Sequence, residues 1–264
     1  MHLWGDEEAG FVGDRIYLST NQIHLIELTL PPRGRFTHSD ENRTVFAADE
    51  VYHVVEGELL LTNPETGEAE LISAGESLFF RRDTWHHGVN RSPDRPMRAL
   101  EFMAPPPATG SSSAYARTRP LLERPRYHDD RWLGRWPMAR SERAAARTLW
   151  VCRPSDLLWR VDEGDDDLLT GLIASTEHLT VGRSDLLPGQ RSGVKCHVGD
   201  AAIIVLAGTL HVFLPDTGSV ASWHELEVGD VFYLPGGTRH QLFATRAAPV
   251  EVLFGVAPGP AGQT

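Results

Sequence analysis

Two stretches of this chain repeat one another, and that duplication constrains the fold more than any other feature. LSTNQIHLIELTLPPRGRFTHSD (18–40) lies alongside ASTEHLTVGRSDLLPGQRSGVKCHVG (174–199), sharing Ser-Thr, an apolar strand and a Leu-Pro turn. VYHVVEGELLLTNPETGE (51–68) parallels AIIVLAGTLHVFLPDTGS (202–219); both read as strand, glycine kink, strand and Pro-x-Thr-Gly hairpin. AGESLFFRRDTWHHGVN (74–90) parallels VGDVFYLPGGTRHQLFA (228–244). From first strand to last, the units span 23–103 and 178–256, or 81 and 79 residues, a size that suits one small barrel or sandwich each.

Inside each unit short apolar segments such as IHLIELTL, SLFF and DVFYL recur between turn signals, the pattern of antiparallel sheet. The 24 Gly and 18 Pro agree with many turns. The predicted fold class is therefore all-β, with an N-terminal unit and its arm over 1–103, a mixed linker over 104–170 and a C-terminal unit over 171–264. In the linker, PPPATGSSSA is Pro/Ser/Gly-rich, and SERAAARTLW (141–150) predicts a short helix capped by Ser141. Trp132, Trp136, Trp150 and Trp159 are expected to pack against the barrels, and GDDD (164–167) to form a solvated loop.

Composition narrows the function. No apolar run approaches the roughly 20 residues that span a bilayer, so no membrane span is expected. The start, MHLWGDEEAG, is acidic and lacks the basic and apolar regions of a secretory signal, so a cytoplasmic location is expected. A net charge of −11 argues against a nucleic-acid partner. Cys152 and Cys196 make neither a disulfide framework nor a thiolate zinc site. The basic residues are arginines save one, Lys195, the mark of a GC-rich genome rather than of a mechanism.

Chemistry concentrates at two spacings. In the second unit Gly189 is followed by Lys195-x-His197, Ala201 and Gly208, then by Gly229, Pro235-x-Gly237 and His240. In the first, Glu50 precedes Gly57 by seven positions, and Gly75 leads to His86-x3-Asn90, with Arg81 and Asp83 where Pro and Gly stand in the second unit. These spacings resemble the two signature motifs of the cupin superfamily, and their double occurrence resembles a bicupin, over both units but not over 1–15 or the linker. The resemblance implies two tandem cupin jelly-roll barrels. By its motif His38 and Asp40 take the first two ligand positions, Glu50 the carboxylate and His86 the last histidine. An insertion, ENRTVFAAD (41–49), separates Asp40 from Glu50.

Strand alternation argues the same placement independently. Residues at i and i+2 share a face, so His38 and Asp40 can both point inward, Glu50 and Tyr52 point inward with His53 outside, and His86 points in with His87 out. Imidazole and carboxylate together suit a divalent transition metal: Fe is the first expectation, with Mn, Ni, Co or Zn as alternatives. Tyr52 and Asn90 are expected to line that pocket. The second barrel has Lys195, His197, Ala201 and His240 at the four positions, two imidazoles beside an ammonium, a poor place for a cation.

The first functional expectation is thus a metal-dependent enzyme of dioxygenase-type oxidoreductase chemistry on a small oxygenated substrate, with Glu50 and Asp40 as the catalytic carboxylates. A redox-neutral isomerase, cyclase or lyase is the alternative. A third is a non-catalytic bicupin whose second barrel captures an anion at Lys195. Edge strands leave a homodimer open.

Overall fold

The computed structural model describes residues 1–5, 7–8, 10–37, 44–46, 48–82, 84–106, 117–118, 147–161, 168–217 and 222–259. The first unit begins with β1 (His2–Trp4), β2 (Val12–Ser19), β3 (His24–Leu30), β4 (Arg35–Phe36) and β5 (Thr44–Val45). It continues with β6 (Asp49–Glu56), β7 (Glu58–Asn63), β8 (Glu68–Ser73), β9 (Ser77–Phe80), β10 (His87–Val89) and β11 (Met97–Ala104). The linker supplies β12 (Arg117–Thr118), β13 (Trp150–Cys152) and β14 (Leu158–Val161). The second unit has β15 (Leu169–Ser175), β16 (Thr180–Leu186), β17 (Asp200–Ala207), β18 (Leu210–Phe213) and β19 (Trp223–Leu226). It ends with β20 (Val231–Leu234), β21 (Gln241–Ala244) and β22 (Val250–Ala257).

Each unit is a jelly roll of two sheets. The first sets a seven-stranded sheet, β1-β2-β3-β11-β6-β9-β13, against a four-stranded one, β4-β10-β7-β8. The second sets β14-β15-β16-β22-β17-β20 against β19-β18-β21. The duplicated sequence therefore gives duplicated strand order. The predicted glycine kinks are required: Gly57 and Gly208 sit at φ +77° and +78°, and a Cβ there would stand 2.8 Å from the Pro96 carbonyl oxygen and 2.3 Å from that of Pro249. The arm, which the resemblance left out, adds β1 and β2 to the first sheet.

Alternation sorts the side chains. On β3 Leu28 and Leu30, and on β11 Met97 and Ala99, enter the first barrel's interior core with Tyr52, Val54, Leu78 and Phe80. The opposite parity (Ile23, Leu25, Val51, Phe79, Leu100, Phe102) packs with Ile173, Val181, Ala202, Ile204 and Leu253 of the second unit. The large sheets thus face each other across one shared apolar seam. Burying each large side chain there contributes roughly 1.5–3 kcal/mol. Phe102 approaches so closely that a Cβ on Gly255 would lie 2.4 Å from its ring.

The helix predicted over 141–150 is corrected where the structure describes it. Arg147–Leu149 is irregular and Trp150 opens β13, which pairs with β9. Leu149 and Val151 enter the first core while Trp150 and Cys152 enter the seam, so a strand buries both faces of this run where a helix would bury one stripe. Trp150 stands edge-on to Phe79, whereas Trp159 is 40% exposed. Residues 141–146, Trp132, Trp136 and the 164–167 loop lie outside the described residues.

Polar groups cross the seam. Arg81 Nε donates to Asp49 Oδ1 at 2.9 Å and Arg81 also reaches Glu177 Oε1 at 2.5 Å, while Thr176 donates its hydroxyl to Asp49 Oδ2 at 2.6 Å. His53, outside the barrel as its position requires, is buried in this seam with Nδ1 2.9 Å from Ser77 Oγ. Burial, then the Arg183 charge, lowers its pKa to about 4. A histidine that resists protonation in the folded state leaves stability intact above pH 6.5 and removes it as pH falls towards 4. His53→Gln should therefore shrink the stability lost between pH 7.5 and 5 by about 2 kcal/mol, read from urea midpoints. An unchanged difference would show that His53 takes up its proton freely in the fold.

Candidate active site

Interior polar groups gather on one wall of the first barrel. β6 brings Glu50 and Tyr52, and β11 sets Glu101 opposite Tyr52 and Met103 opposite Glu50. His86 arrives just before β10, buried among the rings of Phe36, Phe80 and Tyr52. Its Nδ1 lies 3.2 Å from the Thr84 carbonyl oxygen, which only accepts, so Nδ1 carries the proton and Nε2, 3.4 Å from the Tyr52 hydroxyl oxygen, carries the lone pair. Glu101 hydrogen-bonds with both Tyr52 and Glu50, closing a chain Glu50–Glu101–Tyr52–His86.

Every member is nearly dry. Glu50 is 1% exposed, Glu101 3% and His86 1%. Burial, then the Glu101 carboxyl, drives the Glu50 pKa well above its usual range, and burial pushes Glu101 up to about 8. Burial lowers His86 to about 4, leaving it the neutral imidazole that ligates metals. Asp14, to which the Trp4 indole donates at 2.7 Å, is raised by burial to about 6.

The sequence placed Glu50, Tyr52 and His86 together, and the structure describes all three at this wall. His38 and Asp40 lie outside the described residues. Of the insertion, β5 pairs with β12, and Phe46 packs on Ile26 and Met103 with its ring centroid 6.3 Å from that of His86. Asn90 stands apart from the chain: its side-chain amide donates to the Leu30, Pro31 and Arg95 carbonyls and holds a turn. Glu101, His24 and Asp14 were missed. Their signal was parity, since Glu101 keeps step with Met97, Ala99 and Met103, and His24 with Ile26 and Leu28.

In the second barrel Lys195, His197 and His240 line one cavity with Ala201. The two imidazoles are tilted with centroids 5.3 Å apart, and burial, then the Lys195 charge, lowers the His240 pKa. Cys196 is exposed, as its outward position requires.

Two jelly rolls of like strand order, each with a polar interior wall, define the class. The Cupin domain model matches residues 28–103 and 182–256, and the chain belongs to the cupin family, as a two-domain member. Among solved structures it resembles AerE from Microcystis aeruginosa (11% identity, TM-score 0.60, covering 93% of this chain and 92% of that one). It resembles oxalate decarboxylase from Lactobacillus farciminis in its formate complex (13%, 0.61, 97% and 83%) and YhaK from Escherichia coli (17%, 0.53, 98% and 91%). At these identities the likeness is one of fold. No curated protein matches in sequence. Among the described residues no helix is long and apolar enough to cross a membrane.

The family implies a divalent metal inside the barrel, and the first barrel offers two donors of the kind such an ion takes, the Glu50 carboxyl and the neutral His86 imidazole. Glu50 Oε2 is buried without a hydrogen-bond partner, beside a second carboxyl and on the wall that carries neutral His86. An oxygen so placed takes a proton, as the raised pKa of Glu50 shows, or a cation in its stead. Among the described residues no group of three His, Cys, Asp or Glu could hold an ion.

Proposed function

We propose that the first barrel is the active site of a metal-dependent enzyme acting on a small oxygenated organic molecule. The ligands are Glu50 and His86 with His38 and Asp40 from the adjoining segment. The observation that carries this reading is the buried, unpartnered Oε2 of Glu50. A bound divalent ion supplies Lewis acidity to a substrate oxygen. The chain's own residues do the rest. Thr84 fixes the His86 ring and its tautomer, leaving Nε2 for an ion, the phenyl rings of Phe36, Phe46 and Phe80 keep water from it, and Glu101 stands beside Glu50 as a carboxyl able to give or take a proton. That extra carboxyl, outside the ligand set, favours a redox-neutral reaction such as isomerisation, cyclisation or elimination over dioxygenase-type oxidation.

Metal analysis of purified protein tests the site. His86→Ala should lower metal content several-fold and His240→Ala should leave it nearly unchanged; equal losses would overturn the assignment. Turnover of candidate enolic substrates in heavy water then decides the chemistry. Deuterium incorporation without dioxygen uptake is expected, and stoichiometric oxygen consumption would return the reaction to the oxidative class.

A further inference from the structure

The second barrel repeats the first barrel's strand order, yet it lacks the first barrel's interior carboxyls and carries cations at its cavity. Glu50 pairs with Met103 and Phe80; at the same register Ala201 pairs with Val256 and Leu234. Glu101 faces Tyr52 where Phe254 faces Ile203. Asp14 faces Leu28 where Thr170 faces Ser184. Each of these barrel-1 carboxyls is thus replaced by an uncharged side chain. The chain's one lysine, Lys195, lines the resulting cavity of about 80 Å³ together with Arg160, His197 and His240. Thr170 and Ser184 add two hydroxyls 3.2 Å apart. Among the described residues no Asp or Glu lines it; the remaining wall is apolar, with Ile203, Val252 and Phe254 among its residues.

The two cations at this cavity repel a divalent ion and attract an anion. A bare inorganic anion would leave the apolar wall unused, and the volume admits only a few non-hydrogen atoms. We infer that the second barrel is a binding site for a small organic carboxylate, its anionic group at Lys195 and Arg160 and its short hydrocarbon body against Ile203, Val252 and Phe254. This site is separate from the metal site proposed for the first barrel.

Butyrate is a suitable probe, titrated into the full-length protein by ligand-observed NMR. Lys195→Met keeps the length and removes the charge, and should weaken butyrate at least tenfold with an unchanged circular-dichroism melt. Ala201→Glu restores an interior carboxylate and should weaken it as much. Butyramide, the neutral isostere, should bind at least tenfold less tightly than butyrate. The inference is overturned if butyrate fails to bind at millimolar concentration, if Lys195→Met leaves its affinity unchanged, or if butyramide competes equally. Inorganic phosphate binding more tightly than butyrate would overturn the organic assignment. Loss of butyrate in Glu50→Gln, with Lys195→Met silent, would place the ligand in the first barrel.

Discussion

Arg81→Met should destabilise the protein by about 3–5 kcal/mol, the usual effect of removing one partner from a buried ion pair. Arg81 is 9% exposed at its side chain, Asp49 is fully buried and Glu177 is 12% exposed. Without the guanidinium, Asp49 keeps the Thr176 hydroxyl and the Arg82 amide, and Glu177 keeps His178. Those contacts do not neutralise two carboxylates brought together in the seam. Urea denaturation measures the loss, and the double variant Asp49→Asn/Arg81→Met should regain part of it, because the fully buried Asp49 charge is then gone and Glu177 alone is left, beside His178. A loss below about 1 kcal/mol in the single variant would show that the group is solvated as an ordinary surface pair is.

Glu50→Gln should lower turnover at least a hundredfold, in the range of roughly 10²–10⁴ that a missing proton-handling or ligating carboxylate costs. The amide fills the same space and cannot serve as an anionic ligand. Stability should move the other way or not at all. Burial holds the Glu50 carboxyl well above its normal pKa, so at neutral pH the fold carries a penalty for this residue that an amide escapes. Activity lost, with a melting temperature of the metal-free protein equal to or above that of the metal-free parent, is the expected pair of readings. Retained turnover would remove Glu50 from the site.

Much of the architecture was legible because strands have a period of two. Parity put Glu50, Tyr52 and His86 inside and Cys196 outside, and the repeated Pro-x-Thr-Gly and glycine kinks marked the hairpins. The partners that matter most were not legible. Glu101 meets Glu50 and Tyr52 only through the pairing of β11 with β6, about fifty residues apart in sequence. Arg81 looked like a departure from the motif; its role emerges once the second unit supplies Thr176 and Glu177. Largely apolar runs such as VYHVV and ALEFMA did carry a hint, since a strand with both faces buried loses its alternation. Over 147–150 the predicted helix gave way for that reason, since Leu149 and Trp150 begin a run whose two sides are both wanted by cores.

The common wall between the halves makes each a structural prerequisite of the other. Split apart, either half would present an oily flank to water, so the two should melt together in a single cooperative step. Any compound that occupies one cavity then protects the whole molecule from unfolding, by about 2.7 kcal/mol at a concentration a hundredfold above its Kd, although it never touches the far side.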